Sequence, residues 1–148
     1  MEEVLRAHDL RVTRPRVAVL QAVHRHPHAD TISIIDHVRE ELPGVSHQAV
    51  YDVLAALTRV GLLRRIQPQG SVARYEARVG DNHHHVVCRC CGAVADVSCA
   101  VGAPNPSMTA SDNHGYMIER AEVIFWGLCP ECLVSNASSE PSRKDTRV

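Results

Sequence analysis

Two Cys-x-x-Cys knuckles, Cys88-Arg-Cys-Cys91 and Cys129-Pro-Glu-Cys132, constrain this chain more than any other feature. Four thiolates from two such knuckles make a closed, tetrahedral zinc site, so Cys88, Cys91, Cys129 and Cys132 are assigned to structural zinc. The 37 residues between Cys91 and Cys129 exceed the gap of a short zinc ribbon, and a small domain is expected between the knuckles. Just upstream, His83 and His85 alternate on a strand-like segment and therefore point to one side, with His84 facing away. They are candidate ligands for a second metal of different chemistry.

The chain has 148 residues, 45% of them hydrophobic but only 3% aromatic, so any core must be built from Val, Leu, Ile and Ala. That length suits two small domains. No apolar run is long enough to span a membrane, and Met1-Glu-Glu-Val4 lacks the basic start of a signal peptide. A cytoplasmic location is expected. In a reducing compartment six cysteines point to metal or redox chemistry rather than disulfides, and a thiol switch in one knuckle is the alternative to zinc. Cys90 and Cys99 have no partner by spacing and read as ordinary small side chains. The net charge of −1 divides into +2 over residues 1–75 and −3 over the remainder. Fifteen of the sixteen basic residues are Arg, the side chain suited to bidentate phosphate and guanine contacts.

Along the chain, Glu2–His8 reads as a short helical start. Thr13 can cap a helix with Pro15 in its first turn, ending before Pro27. Asp30 or Thr31 can cap the next, which buries Ile34, Ile35, Val38 and Leu42. Ser46 can cap the next helix, with Val50, Val53, Leu54, Leu57 and Val60 inward and His47, Gln48, Tyr51, Asp52 and Arg59 outward, closed by Gly61. Leu62–Ile66 and Val72–Glu76 then form a hairpin carrying Arg64, Arg65 and Arg74. Helices followed by a basic hairpin is the order of a winged helix, whose last helix enters the major groove. The plain alternative is a small helical domain with a solvated polar face. Further on, Val86-Val87 and Ala93–Val97 read as strands, Met108–Asp112 as a short helix and Met117–Trp126 as the last strand. His8, His24, His37, His47 and His114 read as surface residues.

Taken together, Arg11-Val-Thr-Arg-Pro-Arg16, Gln48-Ala-Val-Tyr51, Arg74-Tyr-Glu76, His83–Gly92 and Cys129–Cys132 resemble the ferric uptake regulator family over about residues 4–132. The nearest flavour is the actinobacterial branch associated with control of a catalase-peroxidase. The resemblance implies an α+β protein: an N-terminal winged helix-turn-helix domain plus a small α/β, zinc-containing C-terminal dimerisation domain. On that basis residues 1–77 are expected to bind DNA, 78–81 to be a hinge, 82–134 to bind metal and dimerise, and 135–148 to be a disordered tail. It implies a homodimer on double-stranded DNA, with no membrane and no small-molecule substrate other than metal ions and peroxide.

Carried over by position, the ligands of a regulatory Fe(2+) or Mn(2+) at the hinge become His28, Glu76, His83, His85 and Asp96. His26-Pro27-His28 offers two candidates for the first, and a gapless count from the reading helix favours His28. Imidazole and carboxylate donors suit iron, manganese or zinc. Ligands drawn from both halves would let occupancy set the spacing of the reading helices. In this resemblance peroxide-responsive members carry Asp at position 96, and peroxide reaching bound iron oxidises a ligand His and releases DNA.

The DNA contacts expected are Arg14, Arg16 and Arg65 on phosphates, and Gln48 and Tyr51 on bases, the Tyr51 ring against a thymine methyl. The chain departs from the family in three places. Asn82, His84, Ala103 and Ala121 stand where some members build a further metal site, Pro104 and Pro106 interrupt the helix after the first knuckle, and Asp52 follows Tyr51. Two rivals stand beside the metal-dependent regulator: a constitutive zinc-stabilised or thiol-redox DNA-binding protein, and a zinc hydrolase or deaminase using His83 and His85. The latter lacks an H-x-E or H-E-x-x-H arrangement to supply a general base, and no enzyme is expected.

Overall fold

Three side-chain caps set the helices of the N-terminal half. A computed structural model of the chain describes residues 1–79, 83–98, 112–118 and 123–137, except the side chains of 136 and 137. After α1 (Glu2–Ala7), the Thr13 hydroxyl accepts from Arg16 N–H at the start of α2 (Arg14–Arg25), with Pro15 in its first turn. The strand β1 (Ala29–Asp30) leads directly into α3 (Thr31–Glu41), whose first turn is closed by Ser33 N–H donating to Asp30 Oδ1 at 2.9 Å. Ser46 caps α4 (His47–Arg59) by accepting from Ala49 N–H at 3.1 Å. Each cap satisfies an otherwise orphaned amide of a first turn.

Leu5, Val19, Leu20, Val23, Ile34, Ile35, Val38, Val50, Leu54, Leu57 and Leu63 form one aliphatic core. Burying such a side chain is worth about 1.5–3 kcal/mol, which outweighs the weak helix preference of the β-branched positions. Gly61, at φ +75°, reverses the chain after α4. The hairpin follows as β2 (Arg64–Ile66) and β3 (Arg74–Glu76), shorter than the sequence suggests. β3 lies between β2 and β1, all antiparallel, with Ala29 opposite Tyr75 and Arg64 opposite Glu76. The pattern does not announce β1, a third strand only two residues long.

The Asp30 carboxyl is held below its usual range chiefly by the Ser33 N–H. Asp30→Ala should therefore cost about 1 kcal/mol of thermal stability at pH 7. A group whose pKa is depressed on folding stabilises above its unfolded value, so this difference should shrink as pH falls below about 4. Melting curves at pH 7 and pH 3 test both statements.

Contacts divide the chain into Met1–Asp81 and Asn82–Val148. In the second unit β4 (His83–Cys88) is central, antiparallel to β5 (Val94–Ser98) and parallel to β6 (Ile124–Gly127). β4 starts at the histidines rather than at Val86. Of the expected strand Met117–Trp126, Met117, Ile118 and Val123 are not strand and β6 runs from Ile124 to Gly127, while residues 119–122 lie outside the described residues. Asp112 and Asn113 instead cap a turn through the amides of His114 and Gly115, both at positive φ, leaving Met117 exposed. Pro130 opens α5 (Pro130–Ala137), which runs three residues into the segment expected to be a disordered tail. The Ser135 hydroxyl donates to Glu131 C=O on its last turn. Residues 108–111 of the expected short helix and 138–148 of the tail lie outside the described residues, while Asp112 is not helical. Among the described residues no helix is long and apolar enough to cross a membrane.

Candidate metal centres and DNA-reading face

Two turns of different kinds present the cysteines. The first knuckle closes through Gly92 N–H to Cys88 C=O at 2.9 Å, with Gly92 at φ +73°, a conformation that side chains resist. The second opens α5, where Leu133 N–H donates to Cys129 C=O. The two are joined by Arg89 N–H to Gly127 C=O and by Cys129 N–H to Cys88 Sγ at 3.4 Å.

The sulfurs of Cys88, Cys91, Cys129 and Cys132 all lie within 4.8 Å of one another, Cys91 and Cys129 at 3.6 Å. Zinc with four bonds of about 2.3 Å would hold its sulfurs about 3.8 Å apart, so the cluster fits that ion. Backbone N–H groups, first that of Cys91 and then that of Cys129, lower Cys88 to about 6 and prepare its thiolate. The sulfur of Cys129 is the main cause raising Cys132, the crowding a cation would relieve. Cys90 is exposed, and Cys99 lies outside the described residues.

On β4, His83 and His85 are buried on one side and His84 turns toward Phe125 on the other, its ring 6.1 Å away. Asp96 stands opposite His85 across the β4–β5 ladder. Its Oδ1 is 3.7 Å from Nε2 of both His83 and His85, so sheet register alone gathers three donors.

Within the first unit His28 and Glu76 form a second donor group. His28 takes the uncommon left-handed backbone, φ +63°, and its N–H donates to Tyr75 C=O at 2.9 Å. Its Nε2 reaches Glu76 Oε2 at 3.3 Å, with Glu76 only 1% exposed. Two ligands with bonds of about 2.1 Å to one ion would stand about 3.0–3.4 Å apart, so this pair is spaced for a shared cation. His26, the other candidate, is exposed and stacks on His37 at 3.7 Å between ring centroids.

On the outer face of α4, Tyr51 is 45% exposed and Gln48 donates to Asp52 at 2.8 Å. Tyr51, Arg59 and Arg65 share a groove of about 960 Å³ with Ile32 and Val72. Arg14 is exposed at the start of α2, and Arg16 donates to Arg11 C=O at 2.7 Å. Of the three hairpin arginines only Arg65 faces outward. Arg74 donates to His28 C=O at 3.0 Å, and Arg64 pairs with Glu76 at 3.3 Å. The Arg64–Glu76 pair was missed in the sequence, although pairing the two hairpin strands residue by residue would have found it.

The sequence model of the Ferric uptake regulator family matches residues 7–125. The chain belongs to the ferric uptake regulator family. It is 67% identical over 136 residues to the transcriptional regulator FurA of Mycobacterium tuberculosis, covering 92% of each chain. Among solved structures, the Helicobacter pylori ferric uptake regulator, described as having three functional metal-binding sites, superposes with a TM-score of 0.71 at 19% identity, covering 89% of this chain and 88% of that one. The Campylobacter jejuni peroxide stress regulator gives 0.65 at 25% identity, with 89% and 98% covered. Like its ferric uptake regulator relatives, the chain is a DNA-binding transcriptional regulator and not an enzyme. Its winged helix and zinc-type C-terminal unit are those of the family.

Proposed function

We propose that this regulator represses transcription as a homodimer in the cytoplasm, gripping AT-rich inverted repeats when Fe(2+) or Mn(2+) is bound, and releasing them on peroxide exposure or metal loss. The regulatory ligands are His28, Glu76, His83, His85 and Asp96. The observation that carries this is the donor chemistry of the two groups, His28 with Glu76 and His83 with His85 and Asp96. Each group is gathered by strand pairing and drawn from imidazole and carboxylate, which suit these cations rather than a thiolate zinc site. The bound ion supplies redox chemistry when it is iron; the residues supply its position. Because the two groups belong to different units, occupancy couples the metal to the reading helices.

Exposed Tyr116, Met117, Phe125, Trp126, Leu133 and Val134 on the second unit favour association with a second copy, since such apolar surface marks an interface. Tyr51 and Gln48 read bases, and Arg14, Arg16 and Arg65 hold phosphates.

Fluorescence anisotropy on a duplex from the region upstream of the protein's own gene tests the reading. Zinc-loaded protein is compared with added Fe(2+), with Mn(2+) and without either, before and after a low dose of peroxide. The expected result is binding that requires the added metal and is lost to peroxide only in the iron form. Binding indifferent to added metal would overturn the proposal, and metal-dependent binding that survives peroxide would make it a metal-level sensor.

A further inference from the structure

Glu76 divides its two carboxylate oxygens between different partners. Oε2 faces His28 Nε2 at 3.3 Å, while Oε1 lies 3.3 Å from an Arg64 guanidinium nitrogen, an ion pair without hydrogen-bond geometry. The second contact is built into the hairpin, because Arg64 and Glu76 are directly opposed on β2 and β3. It is also sheltered: the Arg64 side chain is 21% exposed and that of Glu76 is 1% exposed. A charge pair in such surroundings is screened little by salt and holds its geometry better than a surface pair.

We infer that Arg64 is a positioning residue for the regulatory metal: its guanidinium beside Oε1 would hold the carboxylate so that Oε2, beside His28, is the oxygen offered to a cation. The inference rests on the proposed assignment of Glu76 as a ligand. A carboxylate without such a partner can turn and offer both oxygens to a divalent cation. Partners that orient a ligand from outside its coordination shell typically govern affinity by ten- to a hundredfold. The plain alternative is that Arg64 is one more basic residue of the wing, placed there for DNA phosphate.

The test uses full-length zinc-loaded protein titrated with Mn(2+), comparing wild type with Arg64→Met, Arg64→Lys and Glu76→Gln. Arg64→Met should weaken Mn(2+) binding by about ten- to a hundredfold. Arg64→Lys, which retains a cation able to hold Oε1, should recover most of that loss. Infrared difference spectra on Mn(2+) addition should show the wide carboxylate splitting of one-oxygen ligation in wild type, narrowing in Arg64→Met. At saturating Mn(2+) the salt dependence of DNA binding should be the same for both, since Arg64 is spent on Glu76.

Unchanged or tighter Mn(2+) binding in Arg64→Met overturns the inference, as does a salt slope shallower by about two, the mark of one lost phosphate contact per protomer of the dimer. If Glu76→Gln abolishes Mn(2+) binding while Arg64→Met leaves it intact, only the role of Arg64 falls. If Glu76→Gln itself leaves binding intact, the ligand assignment falls and takes the inference with it. Should Arg64→Met fold poorly, Arg64→Gln, which keeps a polar side chain without the charge, replaces it with an intermediate loss expected.

Discussion

Cys88→Ser is expected to abolish stoichiometric zinc binding and to remove the cooperative melting of the C-terminal unit. Cys88 is buried at the end of the central strand, and its sulfur already accepts the Cys129 N–H. A hydroxyl there is a poor zinc ligand. Structural zinc contributes on the order of 10 kcal/mol or more to folding, a sum comparable to the whole stability of a domain of this size. Trp126, the only tryptophan, lies on β6 three residues before Cys129, so its fluorescence reports this unit alone. The variant should show near-zero zinc after desalting and a red-shifted Trp126 spectrum, while Cys90→Ser, changing an exposed thiol next door, should keep both normal. Full zinc content and an unaltered spectrum in Cys88→Ser would remove the cluster from the structural role given to it.

The second large effect is expected at His85. His85→Ala should weaken Mn(2+) binding at least a hundredfold, on the order of 3 kcal/mol, and should abolish metal-dependent DNA binding with it. The imidazole is fully buried and 3.7 Å from Asp96, so its loss removes a donor and leaves the carboxylate less well placed. His84→Ala is the internal control. One residue earlier on the same strand, it points toward Phe125 and should leave Mn(2+) affinity within about twofold, because alternation puts it on the other face. Zinc content, measured in parallel, separates a lost ligand from a lost fold. Equal effects at the two positions would refute the alternation and with it the ligand set.

What could be read in advance was whatever the chain encodes locally. Thr13 and Ser46 announce helix starts because a short side-chain oxygen before an apolar period has few other uses, and both cap as expected; of Asp30 and Thr31, either of which could cap α3, Asp30 does. The cysteine knuckles were legible for the same reason. The rest depends on which strand pairs with which. β1 is invisible because Asp30 is claimed by the cap of α3 and only pairing with Arg74 makes it a strand. The left-handed backbone of His28, which sets it apart from His26, is imposed by the same pairing. Arg64 reads only as one of three arginines on the hairpin, because charge is visible in a sequence whereas its partner emerges only when the two strands are set in register. α5 is not expected from the sequence, and its last three residues fall in the segment read as a tail because polar composition weighs more in that reading than the Pro130 that suits the first turn of a helix.

The parallel pairing of β4 with β6 has a consequence for the order in which the protein can be metallated. One short strand carries His83 and His85 at its start and Cys88 at its end, and β6 aligns with it from His85 to Cys88 before turning into the second knuckle. Tying Cys88 to Cys129 therefore locks the reading frame of the strand: a slip of one residue would put His84 where His85 belongs and turn the imidazoles outward. On the proposed ligand sets the zinc ion would be a template for the regulatory one, and protein stripped of zinc is expected to bind Mn(2+) poorly.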